Sequence, residues 1–270
     1  MGQKSVTLNG TEIEYFHSGG SGTPIVFVHG NSASGKSFSK QLESDLAEKY
    51  DLYALTLPGH GGSGRIAVSE YNMPGYARFV AAFAGELGLQ QAVFVGWSLG
   101  GHILLEAVSE LPAARGFVIY GTPPIAFPPA MEEAFLPNPA VNVGFSSEVS
   151  EEEAALYAQS FFMADAAYDL KPFTADILRT DGSARAGLGA SIRPEGYKDE
   201  VEVVASMTAP LAVFHGIGEQ LINGAYIQEL TMPTLWRGEV QMISDAGHAP
   251  HWETPELFNR LLDEFVAEVT

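Results

Sequence analysis

Two short runs near the start of the chain, Val6-Thr-Leu8 and Ile13-Glu-Tyr15, alternate apolar and polar residues on either side of Asn9-Gly10. Alternation interrupted by Asn-Gly predicts a β-hairpin closed by a type I′ turn. The pattern then changes. Runs rich in apolar residues cover 24–28, 51–57, 92–95, 114–120 and 210–216, with a shorter one at 240–244. Such runs, bounded by Gly and Pro, read as strands buried on both faces. Between them the apolar residues take helical spacing, from Ser37 through Lys49, at 74–88, at 103–108 and at 255–269. Strand–helix alternation of this kind predicts an α/β fold: a mostly parallel sheet with helices on both faces and right-handed crossovers.

Between Gly121 and about Ala205 the strand signal disappears. A stretch containing Pro123, Pro124, Pro128, Pro129, Pro137 and Pro139 leads into helical segments. One of these opens with Ser150-x-x-Glu153, a capping box, ahead of a helix over 154–163. The expected organisation is a core formed by 1–121 and 206–270, with 122–205 inserted as a helical cap.

Composition narrows the function. The 270 residues carry 14 basic and 33 acidic side chains, a formal charge of −19. That balance disfavours nucleic acid and anionic membrane surfaces and suits a neutral small-molecule substrate. The absence of cysteine excludes disulfides, thiolate metal sites and a cysteine nucleophile. No apolar run is long enough to span a bilayer, and Met1-Gly-Gln-Lys-Ser-Val6 lacks the apolar segment of a secretory signal. A cytoplasmic monomer or homodimer is expected.

The candidate chemistry lies at Gly96-Trp97-Ser98-Leu99-Gly100, between the strand at 92–95 and the helix at 103–108. Strand, Gly-x-Ser-x-Gly and helix together make the setting of a nucleophile elbow. A serine nucleophile needs a base, and the base needs a carboxylate to orient it. His248 follows the last strand, and Glu219 follows the strand at 211–214. The order Ser98, Glu219, His248 is that of α/β-hydrolases. Asp245 competes for the acid position, and its place three residues before His248 reads as a turn. Backbone amides of Leu99 and Asn31 are the expected oxyanion donors. His29, His60 and His102 read as structural. No His-x-His or His-x-x-x-His pair occurs, so no metal is expected, and no cofactor either. Gly30-x-x-x-x-Gly35-Lys36-Ser37 matches a P-loop, but no apolar strand ends in the aspartate that would help hold magnesium. The acidic charge is also wrong for a polyphosphate.

His29-Gly30-Asn31, Pro58-Gly59-His60-Gly61, the residues 96–102 and Gly247-His248 resemble the α/β-hydrolase superfamily over nearly the whole chain. More narrowly, the chain resembles the metal-independent N-acyl-homoserine lactonases of that fold, which degrade bacterial quorum-sensing signals. The narrower likeness rests on 29–35, 96–103, Gly121-Thr-Pro-Pro124, Arg179-Thr-Asp-Gly182, Glu219 and Gly247-His-Ala-Pro250. It implies the triad Ser98, Glu219 and His248, with Asn31 and Leu99 at the oxyanion hole. It also implies Trp97 beside the pocket and Tyr157 reaching down from the cap, with a neutral acyl lactone or ester as substrate. The chain departs from the pattern at Thr56 and Gly218, where an aspartate is usual. Carboxylesterases, carbon–carbon bond hydrolases and cofactor-free haloperoxidases share the core motifs, as do receptors that hydrolyse their ligand slowly. Haloalkane dehalogenases and epoxide hydrolases place aspartate where Ser98 stands.

Overall fold

The computed structural model describes all 270 residues. Asn9 and Gly10 adopt φ of 51° and 81°, the double positive φ of a type I′ turn. They join β1 (Gly2–Leu8) to β2 (Thr11–His17), with Leu8 opposite Thr11. The sheet continues with β3 (Pro24–Val28), β4 (Asp51–Leu55), β5 (Val93–Trp97), β6 (Gly116–Tyr120), β7 (Leu211–Gly216) and β8 (Gln241–Ile243). Its order is β1-β2-β4-β3-β5-β6-β7-β8. Only β2 runs against the others. Every residue of β5, β6 and β7 is buried, so both faces of the central sheet are covered, as the unbroken apolar runs require.

The chain leaves β3 for β4 on one side and then crosses to β5 on the other. This reversal opens a crevice at the carboxyl ends of β3 and β5, where α/β sheets bind ligands. Two long helices flank β5. Helix α1 (Met73–Glu86) is capped by the Asn72 side chain, which accepts from the Gly75 N–H, and it buries Tyr76, Val80 and Phe83. Helix α2 (Leu99–Ala107) packs beside it.

The helix expected from Ser37 through Lys49 is instead broken into turns at Gly35–Phe38, Ser39–Leu42 and Leu46–Lys49. Ser44 explains the break. Its hydroxyl donates to the Gln41 carbonyl (2.8 Å) and accepts from the Leu46 N–H (3.2 Å), replacing helical bonds with local ones. The P-loop-like segment is similarly committed. Residues 31–35 are buried. The Gly35 N–H donates to Thr56 Oγ1 (3.1 Å) and Ser34 Oγ to Asp176 (2.6 Å), leaving no open cradle for phosphate.

Between β6 and β7 the chain holds α3 (Glu151–Gln159), α4 (Lys171–Arg179), α5 (Gly182–Ser191) and α6 (Glu200–Ser206), and no strand. The capping box at Ser150 and Glu153 is formed in both directions. Helix α3 ends four residues before the expected Met163, because Phe161 and Phe162 turn inward and are buried. In Arg179-Thr-Asp-Gly182, Asp181 caps α5 and also accepts from the Tyr71 hydroxyl (3.1 Å), docking these helices onto the sheet domain. The chain closes with α7 (Pro255–Val269), which buries Phe258, Leu262, Phe265 and Val266 at helical spacing. No helix is long and apolar enough to cross a membrane.

Thr56 answers its own departure from the lactonase pattern. Its hydroxyl donates to Glu14 (3.0 Å), and the same carboxylate accepts from Gln3 (2.7 Å) and the Gly62 N–H (3.0 Å). The carboxylate that organises the turn after β4 therefore comes from β2.

Candidate active site

Ser98 stands at the carboxyl end of β5 with φ 53° and ψ −119°. A non-glycine residue in this region is strained, and the surroundings must hold it there. They do so through the Ser98 N–H, which donates to the Tyr120 carbonyl (2.9 Å), and the Ser98 carbonyl, which accepts from Thr122 Oγ1 (2.8 Å) and the Gly101 N–H (2.8 Å). The flanking glycines are required by space. A Cβ on Gly96 would lie 2.6 Å from the Gly100 carbonyl group, and one on Gly100 would lie 2.1 Å from the Val28 carbonyl oxygen.

Leu99 opens α2, so its N–H has no intrahelical partner. Across the crevice, the loop after β3 brings Asn31 close. A Cβ on Gly30 would sit 3.2 Å from the Ser98 Cβ. The Asn31 side chain donates to the Gly144 carbonyl (2.6 Å), which ties the loop to the Pro139–Phe145 turn.

His248 and Glu219 are both almost fully buried, and His248 Nδ1 lies 2.8 Å from Glu219 Oε2. The other carboxylate oxygen of Glu219 accepts from the Leu221 N–H (2.8 Å). Asp245 is exposed and takes φ 55° in the turn before His248. The imidazole thus pairs with Glu219 and not with Asp245. His248 and Ser98 line one cavity. No hydrogen bond joins the Ser98 hydroxyl to the imidazole, and such bonds commonly tighten only when substrate is bound.

Two residues hold the His248 loop. Glu253 accepts from the Gly247 N–H (2.6 Å) and from the Met163 N–H (2.8 Å), clamping that loop to the segment after α3. Burial raises its carboxyl above the usual range. Trp97 Nε1–H donates to the His248 carbonyl (2.8 Å). The resemblance implied Trp97 as a substrate contact, but the indole is not part of the cavity wall. It packs edge-on against Phe161 and Phe173, so its place is behind His248. Tyr157, by contrast, lines the cavity. A Cβ on Gly144 would meet its hydroxyl at 2.7 Å and Asn31 Nδ2 at 2.8 Å, so these three groups converge.

The cavity has sixteen lining residues, twelve of them hydrophobic. His102 is among the others. The sequence assigns it a structural role, yet it lines the cavity, and its ring pairs with Glu200. His29 is structural: its Nδ1–H donates to the Gly30 carbonyl (2.7 Å), and its Nε2 accepts from the Leu57 N–H (3.0 Å).

Burial lowers the pKa of His29, His60 and His251, and that of His60 falls to about 4. In the unfolded chain these rings take up protons near the ordinary 6.5. The unfolded state then binds more protons, so the stability from keeping them neutral is complete above about pH 6.5 and is lost as pH falls towards 4. For His60 alone the loss is on the order of 3 kcal/mol. Urea midpoints are expected to decline steadily from about pH 7 to about pH 5. A flat profile would mean that these rings are charged in the folded protein.

A family model described as the alpha/beta hydrolase family matches residues 25–261. The chain is an α/β hydrolase. This hydrolase matches a crystal structure of a mutant of the N-acyl homoserine lactonase AidH complexed with N-hexanoyl homoserine, with a TM-score of 0.94 and 32% identity. The match covers 100% of this chain and 97% of the other. A putative aryl esterase from Burkholderia cenocepacia matches at TM-score 0.83 and 23% identity, over 99% and 98% of the two chains, and shares the fold. Among curated relatives, a pimeloyl-[acyl-carrier protein] methyl ester esterase from Stenotrophomonas maltophilia is 26% identical over 253 residues, 92% of this chain and 94% of that one. The dihydrolipoyllysine-residue acetyltransferase component of an acetoin cleaving system from Cupriavidus necator is 29% identical over 263 residues. That match covers 94% of this hydrolase, which spans 66% of the longer relative.

Proposed function

We propose that this hydrolase opens the lactone ring of N-acyl-homoserine lactones, with Ser98 as nucleophile, His248 as general base and acid, and Glu219 orienting His248. The observation that carries the reading is one of place. The strained Ser98 and His248, the latter paired with a buried Glu219, line one cavity whose wall is otherwise largely apolar. A neutral ring with an acyl tail suits that lining. The likeness to a lactonase supports the choice of substrate, because it extends over the whole chain and includes the helices between β6 and β7 that supply Tyr157, Leu188 and Ile192 to the cavity. We take 122–205 as a cap on a core formed by 1–121 and 206–270.

In this mechanism His248 Nε2 takes the Ser98 proton as Oγ attacks the lactone carbonyl. The Asn31 and Leu99 amides hold the oxyanion, each worth about 3 kcal/mol where such donors have been removed. The ring C–O bond then breaks, and His248 returns the proton to the departing ring oxygen. Water, deprotonated by His248, cleaves the acyl-enzyme and releases N-acyl-homoserine. The leaving alcohol stays tethered to the acyl group, so water must reach the ester before the ring closes again.

The test is mass spectrometry of products from purified protein and lactones of several acyl lengths. Gain of one water with the acyl chain retained is expected, and EDTA should leave the rate unchanged. Release of the free acid would identify an amide-cleaving acylase instead. The esterase relative favours a second reading, a carboxylesterase. Turnover of linear methyl esters with no turnover of any lactone would establish it.

A further inference from the structure

Two polar side chains on the cavity wall, Tyr157 and His102, have no part in the proposed chemistry. The Tyr157 hydroxyl converges on Asn31 Nδ2, whereas His102 is backed by a buried carboxylate. His102 lies in the first turn of α2, with its N–H 3.3 Å from the Ser98 carbonyl oxygen, and both residues line the cavity.

The ring is held from behind. Nδ1 lies 2.9 and 2.8 Å from the two Glu200 oxygens, and a nitrogen facing a carboxylate at that distance carries the proton. Glu200 is 1% exposed and makes no other ion pair. It is anchored by the Ile125 N–H, which donates to it at 2.8 Å. With Nδ1 engaged, Nε2 is the free edge of the ring, and it has no hydrogen-bond partner in the protein. The nitrogen is not sealed from water, so a ligand that covers it must replace that water with a polar group of its own or lose the hydrogen bond.

On the reading that Ser98 attacks an ester or lactone carbonyl, we infer that His102 is a specificity-determining residue whose Nε2 hydrogen-bonds an amide attached next to that carbonyl. An amide nitrogen on the α carbon lies two bonds from the carbon that Ser98 attacks, so it enters the same cavity that His102 borders. The neutral ring accepts from the amide N–H, with Glu200 enriching the lone pair. The imidazolium donates to the amide carbonyl. An amide offers both partners, and an alkyl chain offers neither. The His102–Glu200 pair therefore selects acylamino substrates over chain-matched ones without the amide.

The experiment measures kcat/KM on two substrate pairs. One pair is N-hexanoyl-homoserine lactone and a γ-butyrolactone bearing an α-alkyl chain of matched length. The other is ethyl N-hexanoylglycinate and ethyl nonanoate. The quantity read is the amide preference, the ratio within each pair. His102→Leu is expected to lower that ratio by about 3- to 100-fold, from the loss of a hydrogen bond between neutral groups up to the loss of one to a charged group. His102→Leu leaves the Glu200 carboxylate buried and unpaired, so it is also measured with Glu200→Gln, which keeps an acceptor for the Ile125 N–H. His102→Gln, whose carboxamide can donate and accept, should recover part of the preference. A ratio equal to wild type in folded variants overturns the proposal and leaves His102 structural. Wild-type turnover of the ethyl esters but neither lactone overturns the lactonase reading alone, and the ester pair still decides on His102. Turnover of none of the four removes both.

Discussion

Ser98→Ala is expected to abolish hydrolysis while leaving the protein folded. Losing a triad serine costs about 10⁶ in kcat in a well-studied protease, and the same scale applies if Ser98 is the nucleophile. The fold should survive because the substitution removes one oxygen. The hydrogen bonds that hold the turn, to Tyr120 and from Thr122 and Gly101, all use the backbone of residue 98. The strain at φ 53° is likewise the same for alanine as for serine. Thermal melting should therefore be unchanged, and kcat should fall to background. Activity within about tenfold of wild type would mean that another group attacks the substrate.

Glu219→Gln carries the second-largest expected effect. The Glu219 carboxylate holds Nδ1–H of His248 at 2.8 Å in a site almost closed to water. In the proposed mechanism it also stabilises the positive imidazole that forms as Ser98 attacks. An amide at that position can turn its NH₂ to Nδ1 and select the wrong tautomer, a change that lowers kcat about 10⁴-fold in a serine protease. Asp245→Asn is the paired control. Asp245 is exposed in a left-handed turn that asparagine also adopts readily, so its rate should stay near wild type. The rank order decides. Greater damage from Asp245→Asn, with both variants folded, would move the acid to 245.

The parts of the fold that the sequence made legible are those decided by local rules. Asn9-Gly10 announced its hairpin because few residues tolerate two successive positive φ values. The strands announced themselves because burial on both faces leaves no room for polar residues. Ser98, Glu219 and His248 could be placed in order because each follows a strand at one edge of the sheet. What escaped was set by contacts between distant segments. Glu200 lies 98 residues from His102, and nothing near His102 marks it as half of a pair. Glu253 looks like an ordinary charge at the end of a short helix until the Met163 and Gly247 amides meet it. Trp97 could be tied to the site but not given its side. Only the packing of Phe161 and Phe173 shows that the indole supports His248 from behind. The helix expected from Ser37 failed for a smaller reason, the competing side-chain hydrogen bonds of Ser44.

The central claim is that a lactone carbonyl becomes an ester of Ser98. Intact-protein mass spectrometry of the wild-type protein, acid-quenched within the first turnover, tests it directly, with peptide mapping to locate any adduct. Because the alcohol of an opened lactone stays attached, the adduct should weigh as much as the whole N-acyl-homoserine lactone, and it should map to the peptide containing Ser98. A linear ester would leave only its acyl part. Continued ring opening with no adduct at Ser98 at any quench time would contradict the account.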